Sequence, residues 1–363
     1  MHFRLPQYIE PDFSRPHLTS APLARFEAVT TDGVAPDNFH ATSIFPEYFQ
    51  CQPGTWVLPS RSRMDCVVVK RDKDHLEVVE PRRLKAGDLV AVGREENGED
   101  GIYVHTECFL QPGSEKEKFA FRTRLTRETS FSIDYDTLYE LLRYEREHGF
   151  ILWVGGPAVI FDSDARQAFT QLIEQGYVHG LLAGNALAAH DLEGALYQTA
   201  LGQGIYSKQS MRLGHYHHLD AINTIRRQGS IEAAIDQGLV PDGVMRALIH
   251  KDIPYVLAGS IRDDGPLPEV IPNVYAGQDA MRDLTSRATT VITMATQLHS
   301  IAVGNMTPSY ATDDHHAVRP VYFFCVDISE FAADKLANRG SLSVSAILTN
   351  VQDFVVTLSR ALA

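Results

Sequence analysis

Three charged side chains follow one apolar run in the second half of the chain. Residues 256–270 read VLAGSIRDDGPLPEV, and Arg262, Asp263 and Asp264 come directly after the apolar part. A guanidinium binds a carboxylate through two parallel hydrogen bonds, and carboxylates accept hydrogen bonds from ammonium groups. The trio therefore matches a diamino acid as its ligand. An ion pair on the surface of the loop, worth about 0 to 1 kcal/mol, is the alternative.

Glycines and small polar residues follow the other apolar runs of this half. In an open α/β sheet, ligands bind beyond the carboxyl ends of the strands, and glycines there let the backbone approach a ligand closely. We therefore predict a cofactor site at these strand ends. Its predicted contacts are Gly155, Gly156, Pro157, Asn185, Ala186, Ser260, His299, Asn305, Asp327 and Ile328.

Asp327 is the clearest single signal among them. A carboxylate that ends a parallel strand accepts hydrogen bonds from both hydroxyls of an adenosine ribose, which favours NAD over a 2′-phosphorylated cofactor. The same residue would also suit the N-cap of a helix that begins near Glu330. Both interpretations stay open, because LGQGIYS holds only G-x-G and no G-x-G-x-x-G accompanies the aspartate.

The segment GHYHH, residues 214–218, raises the question of a metal site. Two of its imidazoles could converge, but the segment holds no H-E-x-x-H and no carboxylate at ligand spacing. We predict no metal, and expect either a helix start that carries polar groups toward the site or surface histidines. A serine nucleophile is weakly supported too, since AGSIR is not a G-x-S-x-G elbow.

Buried strands must position these residues. Runs that are apolar at every position indicate strands covered on both faces, and helical patterns separate them, so the fold class is α/β with a doubly wound parallel sheet. The runs are FILWVGG, VHGLLAG, IPYVLAG, TTVITMA, VYFFCVD and VSAIL.

The first part of the chain has a different sequence pattern, in which turn-forming residues separate short valine-rich and aromatic runs. This pattern is typical of short β-strands joined by turns. We predict an N-terminal extension over 1–30, a β-rich substrate-side domain over 31–130 and the α/β domain over 131–363. The charged segment 113–128 is predicted to be a solvated loop, with a mobile flap as the alternative. An irregular insert, SYATDDHHAVRP, falls within 306–320.

Composition narrows the function classes. The chain has 363 residues, 44% hydrophobic and 22% charged, with a net charge of −13, which argues against nucleic acid as a partner because no basic stripe is present. It shows neither a signal peptide nor an apolar stretch of membrane-spanning length. We expect a cytoplasmic enzyme or binding protein with buried free thiols at Cys51, Cys66, Cys108 and Cys325.

Several motifs together resemble a known family. They are LLAGNALAAHDLEGALY, HHLDAINTIRRQG, VLAGSIRDDGPLPEV, LHSIAVGN and CVDISEFAADKLANRGS. In this order they look like the archaeal and cyanobacterial type of NAD-dependent ornithine cyclodeaminase, the family of the LOR/SDH conserved domain. The resemblance covers the chain from about residue 149 to its end, and more weakly NFHATSIFPEYF and SRMDCVVV. It implies a Rossmann-like NAD domain beside the β-rich domain.

The resemblance also implies a reaction, the conversion of L-ornithine to L-proline and ammonia. Hydride would pass from Cα to NAD, the δ-amine would close the ring, and the hydride would return to the cyclic imine. It assigns Gly156, Asn185, Asn305 and Asp327 to NAD. For substrate it points to Arg63 and Asp65 together with Arg262, Asp263 and Asp264, where an arginine pairs with the α-carboxylate and Asp263 or Asp264 is the base. A strand-entry ion pair is the alternative for Arg63 and Asp65.

Some features depart from that family. We expect neither a dihydrolase module nor the small domain that precedes this region in many relatives, so arginine is not an expected substrate. The insert within 306–320 and the segment 113–128 look unlike the family. Three alternatives therefore stay open: a cyclodeaminase acting on another basic amino acid such as lysine, a net dehydrogenase or lyase, and a non-catalytic NAD-binding regulator. A homo-oligomer is expected by analogy with soluble dehydrogenases.

Overall fold

The computed structural model describes most of the chain. The described ranges are 3–109, 131–261, 263, 265–312, 317–329 and 342–363. The predicted loop at 113–128 and the predicted helix near Glu330 lie outside these ranges.

Six parallel strands form the main sheet, as the apolar runs predict. Their order β13-β10-β9-β14-β17-β18 corresponds to 3-2-1-4-5-6 along the chain, which is the order of doubly wound dinucleotide-binding folds. The predicted fold class is thus confirmed. The strands are β9 (Ile151–Gly155), β10 (Gly180–Gly184), β13 (Tyr255–Ala258), β14 (Thr290–Met294), β17 (Tyr322–Asp327) and β18 (Ser343–Leu348).

Both faces of this sheet are covered, which explains the continuous apolar runs. On β9, Trp153 packs into the larger core cluster, whereas Leu152 and Val154 pack into a second cluster. Successive side chains of a strand point to opposite faces, so each face needs its own apolar set. All three side chains are fully buried.

Ten helices are assigned within the described ranges, and none of them is long and apolar enough to cross a membrane. The helix that begins at Asn185 ends at Tyr197, and Asn305 lies within the helix that begins at Gln297. The helices are α1 (Pro16–Thr19), α2 (Phe131–His148), α3 (Ser163–Glu174), α4 (Asn185–Tyr197), α5 (Gly214–Gln228), α6 (Ile231–Asp236), α7 (Val244–His250), α8 (Val274–Thr285), α9 (Gln297–Met306) and α10 (Val351–Leu362).

Short antiparallel strands make up the described part of the chain before residue 110. They form a four-stranded sheet, β1-β7-β5-β6, and a three-stranded sheet, β3-β2-β8. This is the smaller β-rich region that the sequence predicts. The strands are β1 (Arg25–Ala28), β2 (Glu47–Gln52), β3 (Thr55–Val57), β4 (Arg61–Ser62), β5 (Val67–Asp72), β6 (His75–Val79), β7 (Leu89–Val92) and β8 (Ile102–Val104).

Two further antiparallel pairs lie after residue 131. The first, β11 (Thr199–Ala200) with β12 (Gln203–Gly204), follows α4. The second comes from the insert, where β15 (Tyr310–Thr312) pairs with β16 (Val318–Pro320). β15 also pairs with β4, so the described part of the insert extends the β structure of the N-terminal region.

All four cysteines are free and buried. Burial raises the pKa of the Cys66 and Cys108 thiols to about 11. These groups are therefore uncharged at neutral pH and pack as small apolar side chains, as the sequence predicts.

Candidate active site

A cleft of about 340 Å³ opens at the carboxyl ends of the strands, beside the point where the strand order reverses between β9 and β14. In this fold the switch point is where ligands bind. The lining brings together eight residues singled out from the sequence: Gly155, Gly156, Pro157, Asn185, Ala186, Ser260, Asp263 and His299.

A second cleft, of about 310 Å³, holds two more of the predicted contacts, Asp327 and Ile328. Its wall includes Ala158 and Ala295, whereas Pro157 and Thr296 line the first cleft. The loops after β9 and β14 thus border both clefts. An elongated ligand lying across these loops would reach both.

The two loops approach each other closely at Gly156. Its amide donates a hydrogen bond to Met294 O at 2.8 Å, and a Cβ atom built on Gly156 would lie only 2.0 Å from Ala295 O. Ala295 itself has φ of 48°, in the left-handed region that residues other than glycine rarely adopt. Such backbone strain is concentrated at functional sites.

Two helices begin at the first cleft. Asn185 is the first residue of α4, directly after β10, and α9 begins at Gln297, soon after β14. The free amides and the dipole at a helix N-terminus favour anionic groups such as phosphates. Asn185 Oδ1 accepts a hydrogen bond from Leu267 N at 3.0 Å, which leaves its amide nitrogen as a donor for a ligand.

Asp263 and His299 supply the ionisable groups of the lining that the sequence singled out. Asp263 Oδ2 accepts a hydrogen bond from Ser260 N at 2.8 Å, which curls the loop after β13. Burial lowers the pKa of His299, and the Asp263 carboxylate opposes this only in part. His299 is therefore neutral at pH 7. Arg262 and Asp264 lie outside the described residues.

Asp327 ends β17, as the sequence predicts. Its Oδ1 accepts a hydrogen bond from Ser329 N at 3.0 Å, a local turn that fixes the carboxylate at the second cleft. The other oxygen is the acceptor available to a ribose hydroxyl. The alternative role, capping a helix near Glu330, concerns residues outside the described ranges.

A buried imidazole also lines the first cleft, with a buried carboxylate beside it, and neither residue was singled out from the sequence. His190 lines the cleft, and its Nδ1 lies 2.8 Å from Glu193 Oε2. Burial alone would raise the pKa of Glu193, but hydrogen bonds from His190, Gly202 and Thr199 hold that pKa below its usual value. The signal was present in HDLE, because residues three apart share one face of a helix.

His218, from the segment GHYHH, completes a cluster with these two residues. The potential metal-ligand atoms of His190, Glu193 and His218 all lie within 4.8 Å of one another, close enough to bind one metal ion. Each Glu193 oxygen, however, already accepts two hydrogen bonds, from Thr199, Gly202, His190 and Leu201. The arrangement therefore favours an imidazole oriented by a carboxylate over a metal centre.

Comparison with known proteins agrees with this architecture. Residues 137–358 match the family model described as arginine dihydrolase ArgZ-like, C-terminal, Rossmann fold. The chain belongs to this ArgZ-like family. The resemblance drawn from the motifs is thereby confirmed.

Curated relatives of the family include two kinds of enzyme. An ornithine cyclodeaminase from Methanocaldococcus jannaschii is 39% identical over 341 residues, covering 91% of this chain and 76% of that protein. The bifunctional arginine dihydrolase/ornithine cyclodeaminase ArgZ from Synechocystis is 37% identical over 344 residues, covering 93% of this chain but 46% of the fusion.

Solved structures in the family share the fold. A LOR/SDH protein from Methanococcus maripaludis superposes with a TM-score of 0.83 at 34% identity, over 94% of this chain and 98% of that one. The ternary complex of AgrE with ornithine and NAD+ superposes with a TM-score of 0.58 at 32% identity, over 94% of this chain and 46% of AgrE.

The structure places three other predicted residues of this ArgZ-like chain away from the lining of both clefts. Arg63 forms an ion pair with Glu80, which also binds Arg282, and it donates a hydrogen bond to the backbone oxygen of Asn305. Asp65 is exposed, with φ of 63°, and is not the partner of Arg63. Contact of Arg63 or Asp65 with substrate, and of Asn305 with NAD, stays a prediction.

Proposed function

We propose that this protein is an NAD-dependent ornithine cyclodeaminase, which converts L-ornithine to L-proline and ammonia. The observation that carries the proposal is the convergence of Asn185, Ser260, Asp263 and His299 in one cleft at the switch point of the sheet. An ArgZ-like relative that covers nearly the whole chain has been crystallised with ornithine and NAD+. The cleft supplies groups for both kinds of ligand.

The cofactor is NAD, and the two clefts fit it. Asp327 would bind the adenosine ribose in the second cleft, and Gly156 with the N-terminus of α9 would lie against the phosphates. In the first cleft, the side-chain amide nitrogen of Asn185 would donate a hydrogen bond to NAD. Bound NAD accepts hydride from the substrate and returns it within the same turnover, so no net oxidant is consumed.

Asp263 is the described residue best placed to handle the substrate's α-amine. It lies on the cleft lining, and an ionised carboxylate accepts both a hydrogen bond and a proton from an ammonium group. Arg262 would pair with the α-carboxylate, and Asp264 is the alternative base. Arg63 and Asp65 complete the proposed substrate set from the β-rich region.

We also propose a cytoplasmic homo-oligomer that acts on a small amino acid. Four free, buried thiols suit a reducing compartment, and the net charge of −13 disfavours binding to a polyanion. Sedimentation of the purified protein would test the oligomeric state.

One experiment tests the reaction. The purified protein is incubated with L-ornithine and a trace of NAD, and proline, ammonia and NADH are followed together. We expect equal amounts of proline and ammonia, far above the NAD added, without accumulation of NADH. Stoichiometric NADH without proline would contradict the redox-neutral cycle. Faster turnover of L-lysine in a parallel assay would redirect the substrate assignment.

The base is tested separately by Asp263→Asn and Asp264→Asn. Loss of a general base typically lowers kcat by about 100- to 10,000-fold. We expect this loss in Asp263→Asn, while NAD affinity is retained. If Asp263→Asn keeps full turnover and Asp264→Asn does not, the base is Asp264.

A further inference from the structure

His190 is an ionisable residue of the cleft with an internal partner already in place. It lies on α4, five residues after Asn185, and is 7% exposed. Its Nδ1 faces Glu193, whose carboxylate is fully buried. Since Glu193 is ionised, Nδ1 must be the donor of this hydrogen bond. The neutral ring therefore keeps its lone pair on Nε2, the nitrogen available to a ligand in the cleft.

Four hydrogen bonds hold the Glu193 carboxylate in place. Its Oε1 accepts hydrogen bonds from Thr199 Oγ1 at 2.8 Å and from Gly202 N at 2.9 Å. Its Oε2 accepts one from Leu201 N at 3.2 Å besides that from His190. A carboxylate fixed in this way stabilises the imidazolium form whenever the ring takes up a proton.

Two aromatic side chains pack against the His190 ring. From α5, the His218 ring lies with its centroid 4.6 Å away, and its Nδ1 is buried without a hydrogen-bond partner among the described residues. Burial, reinforced by His190, lowers the pKa of His218, so this neighbour stays neutral at pH 7. The edge of Phe161 covers another side.

The remaining charged and titratable neighbours are placed less directly. His217 of α5 contacts Thr199 at 2.9 Å and reaches the cluster only through that hydroxyl. Lys208 forms a salt bridge with Asp162 and donates to Phe161 O, beyond the aromatic ring. Asp263 lines the same cleft as His190.

We propose that His190 is the acid–base catalyst for the δ-amine of the substrate, with Glu193 as its positioning residue. This role rests on the proposed function. Ornithine carries two ammonium groups, and each must lose a proton at a different step. Asp263 serves the α-amine before hydride leaves. His190 is assigned to ring closure because it lines the same cleft and a buried carboxylate fixes the orientation of its ring.

The proton balance of this step closes without another reactant. His190 Nε2 takes a proton from the δ-ammonium, and the freed nitrogen forms a bond to the imine carbon. The imidazolium gives that proton to the α-nitrogen and then accepts a second proton from the new ring nitrogen. The bond from carbon to the α-nitrogen breaks, ammonia leaves, and the ring nitrogen forms the cyclic iminium. His190 passes the second proton to the departing ammonia, which becomes ammonium, and the imidazole is neutral again. Imidazole suits this exchange because it both accepts and donates protons near neutral pH.

The test compares His190→Gln with His215→Gln. His215 is an exposed histidine at the start of α5, in contact with the Tyr216 ring, and it does not line the cleft. Each variant is mixed with NAD and L-ornithine, and NADH and proline are followed through a single turnover. NAD affinity, measured by fluorescence titration, reports on the cofactor site independently of turnover.

We expect His190→Gln to form NADH and hold it, with proline formation slower by about 100- to 10,000-fold. Its NAD affinity should be unchanged, and His215→Gln should match the unchanged protein. Proline formation at the normal rate in His190→Gln would overturn the role. So would loss of NADH formation with NAD still bound, because His190 would then act before hydride transfer.

Glu193→Gln separates positioning from simple structural support. The amide can still accept from Nδ1 but no longer stabilises the imidazolium, so the acidic limb of the pH profile of kcat should move to lower pH. A lower kcat with an unmoved profile would reduce Glu193 to a structural group and overturn its role. Activity lost on dialysis against EDTA and restored by Zn²⁺ would replace this assignment with a metal site.

Failure of the proposed function gives a different result. If the unchanged protein forms no proline from ornithine, the proposed function and the role of His190 are overturned together. If the unchanged protein forms proline and both His190→Gln and Glu193→Gln behave normally, only the role of His190 fails.

Discussion

Asp191 and Arg166 form a buried ion pair behind the cleft, with Asp191 Oδ1 2.7 Å from Arg166 Nε. The Asp191 side chain is fully buried and that of Arg166 is 8% exposed. The same carboxylate accepts hydrogen bonds from Val244 N and Met245 N, at the start of α7. One aspartate thus joins α3, α4 and α7 and fixes the helix that carries His190.

Asp191→Asn should destabilise the protein strongly. The substitution removes the negative charge that faces the buried guanidinium of Arg166. Breaking a buried ion pair typically lowers the free energy of unfolding by about 3 to 5 kcal/mol. Urea unfolding measures the loss. Asp242→Asn is the matched control, because Asp242 contacts the same arginine at 2.7 Å but is 65% exposed. We expect about 0 to 1 kcal/mol there, and equal losses in the two variants would contradict the argument.

Gly156→Ala should impair both folding and NAD binding. The added Cβ would meet the backbone oxygen of Ala295, which no side-chain rotation relieves. Overpacking of this kind costs about 1 to 3 kcal/mol. Thermal unfolding and NAD titration test it, with Gly277→Ala as control, since a Cβ there finds ordinary contacts at 3.7 Å. Normal NAD affinity in Gly156→Ala would contradict the proposed position of the cofactor.

Asp327→Ala should weaken NAD binding while leaving the fold intact. Hydrogen bonds to a charged group contribute about 1.5 to 3 kcal/mol, which corresponds to roughly a 10- to 150-fold rise in Kd. Fluorescence titration with NAD measures it. Asp353→Ala, an exposed aspartate in the first turn of α10, is the control for the loss of charge. An unchanged Kd in Asp327→Ala would exclude the ribose contact.

Stability should fall as the solution becomes acidic, in part through His179. Burial lowers the pKa of His179 below 6.5, and its Nδ1 accepts a hydrogen bond from Ile151 N at 3.0 Å. The unfolded chain binds more protons below pH 6.5, so this contribution is complete above that pH and is lost as pH falls. Burial lowers the pKa values of His218 and His299 as well, so these histidines contribute in the same direction.

Urea unfolding at about pH 7.5 and about pH 5.5 tests this dependence, because the two values bracket the ordinary histidine pKa. His179→Asn keeps a hydrogen-bond acceptor but does not titrate. We expect a smaller pH dependence in this variant than in the unchanged protein. An identical dependence would assign the acid sensitivity to other groups.

The sheet and the location of the site were accessible from the sequence. All six strands of the main sheet were found because both of its faces are buried, which makes each strand a continuous apolar run. Residues at the strand ends then had to meet at one edge. Asn185, Asp263 and His299 did so although their positions in the chain are far apart.

Other features depend on contacts that no local pattern encodes. Arg63 pairs with Glu80, 17 residues further along the chain and directly after β6, and not with the nearby Asp65. Glu193 was not singled out from the sequence, and its carboxylate is buried against the turn that contains Leu201 and Gly202. Such pairings follow from tertiary structure.

The pairing of β15 with β4 joins the β-rich region to the α/β region, so we expect the two regions to unfold together. Ser309 N donates to Ser62 O at 2.8 Å, and the fully buried Tyr310 donates its hydroxyl to Pro59 O at 2.9 Å. Neither region can melt without breaking these contacts and leaving Tyr310 in water. Calorimetry should therefore record a single transition, and the wall of the cleft should persist until the whole molecule unfolds.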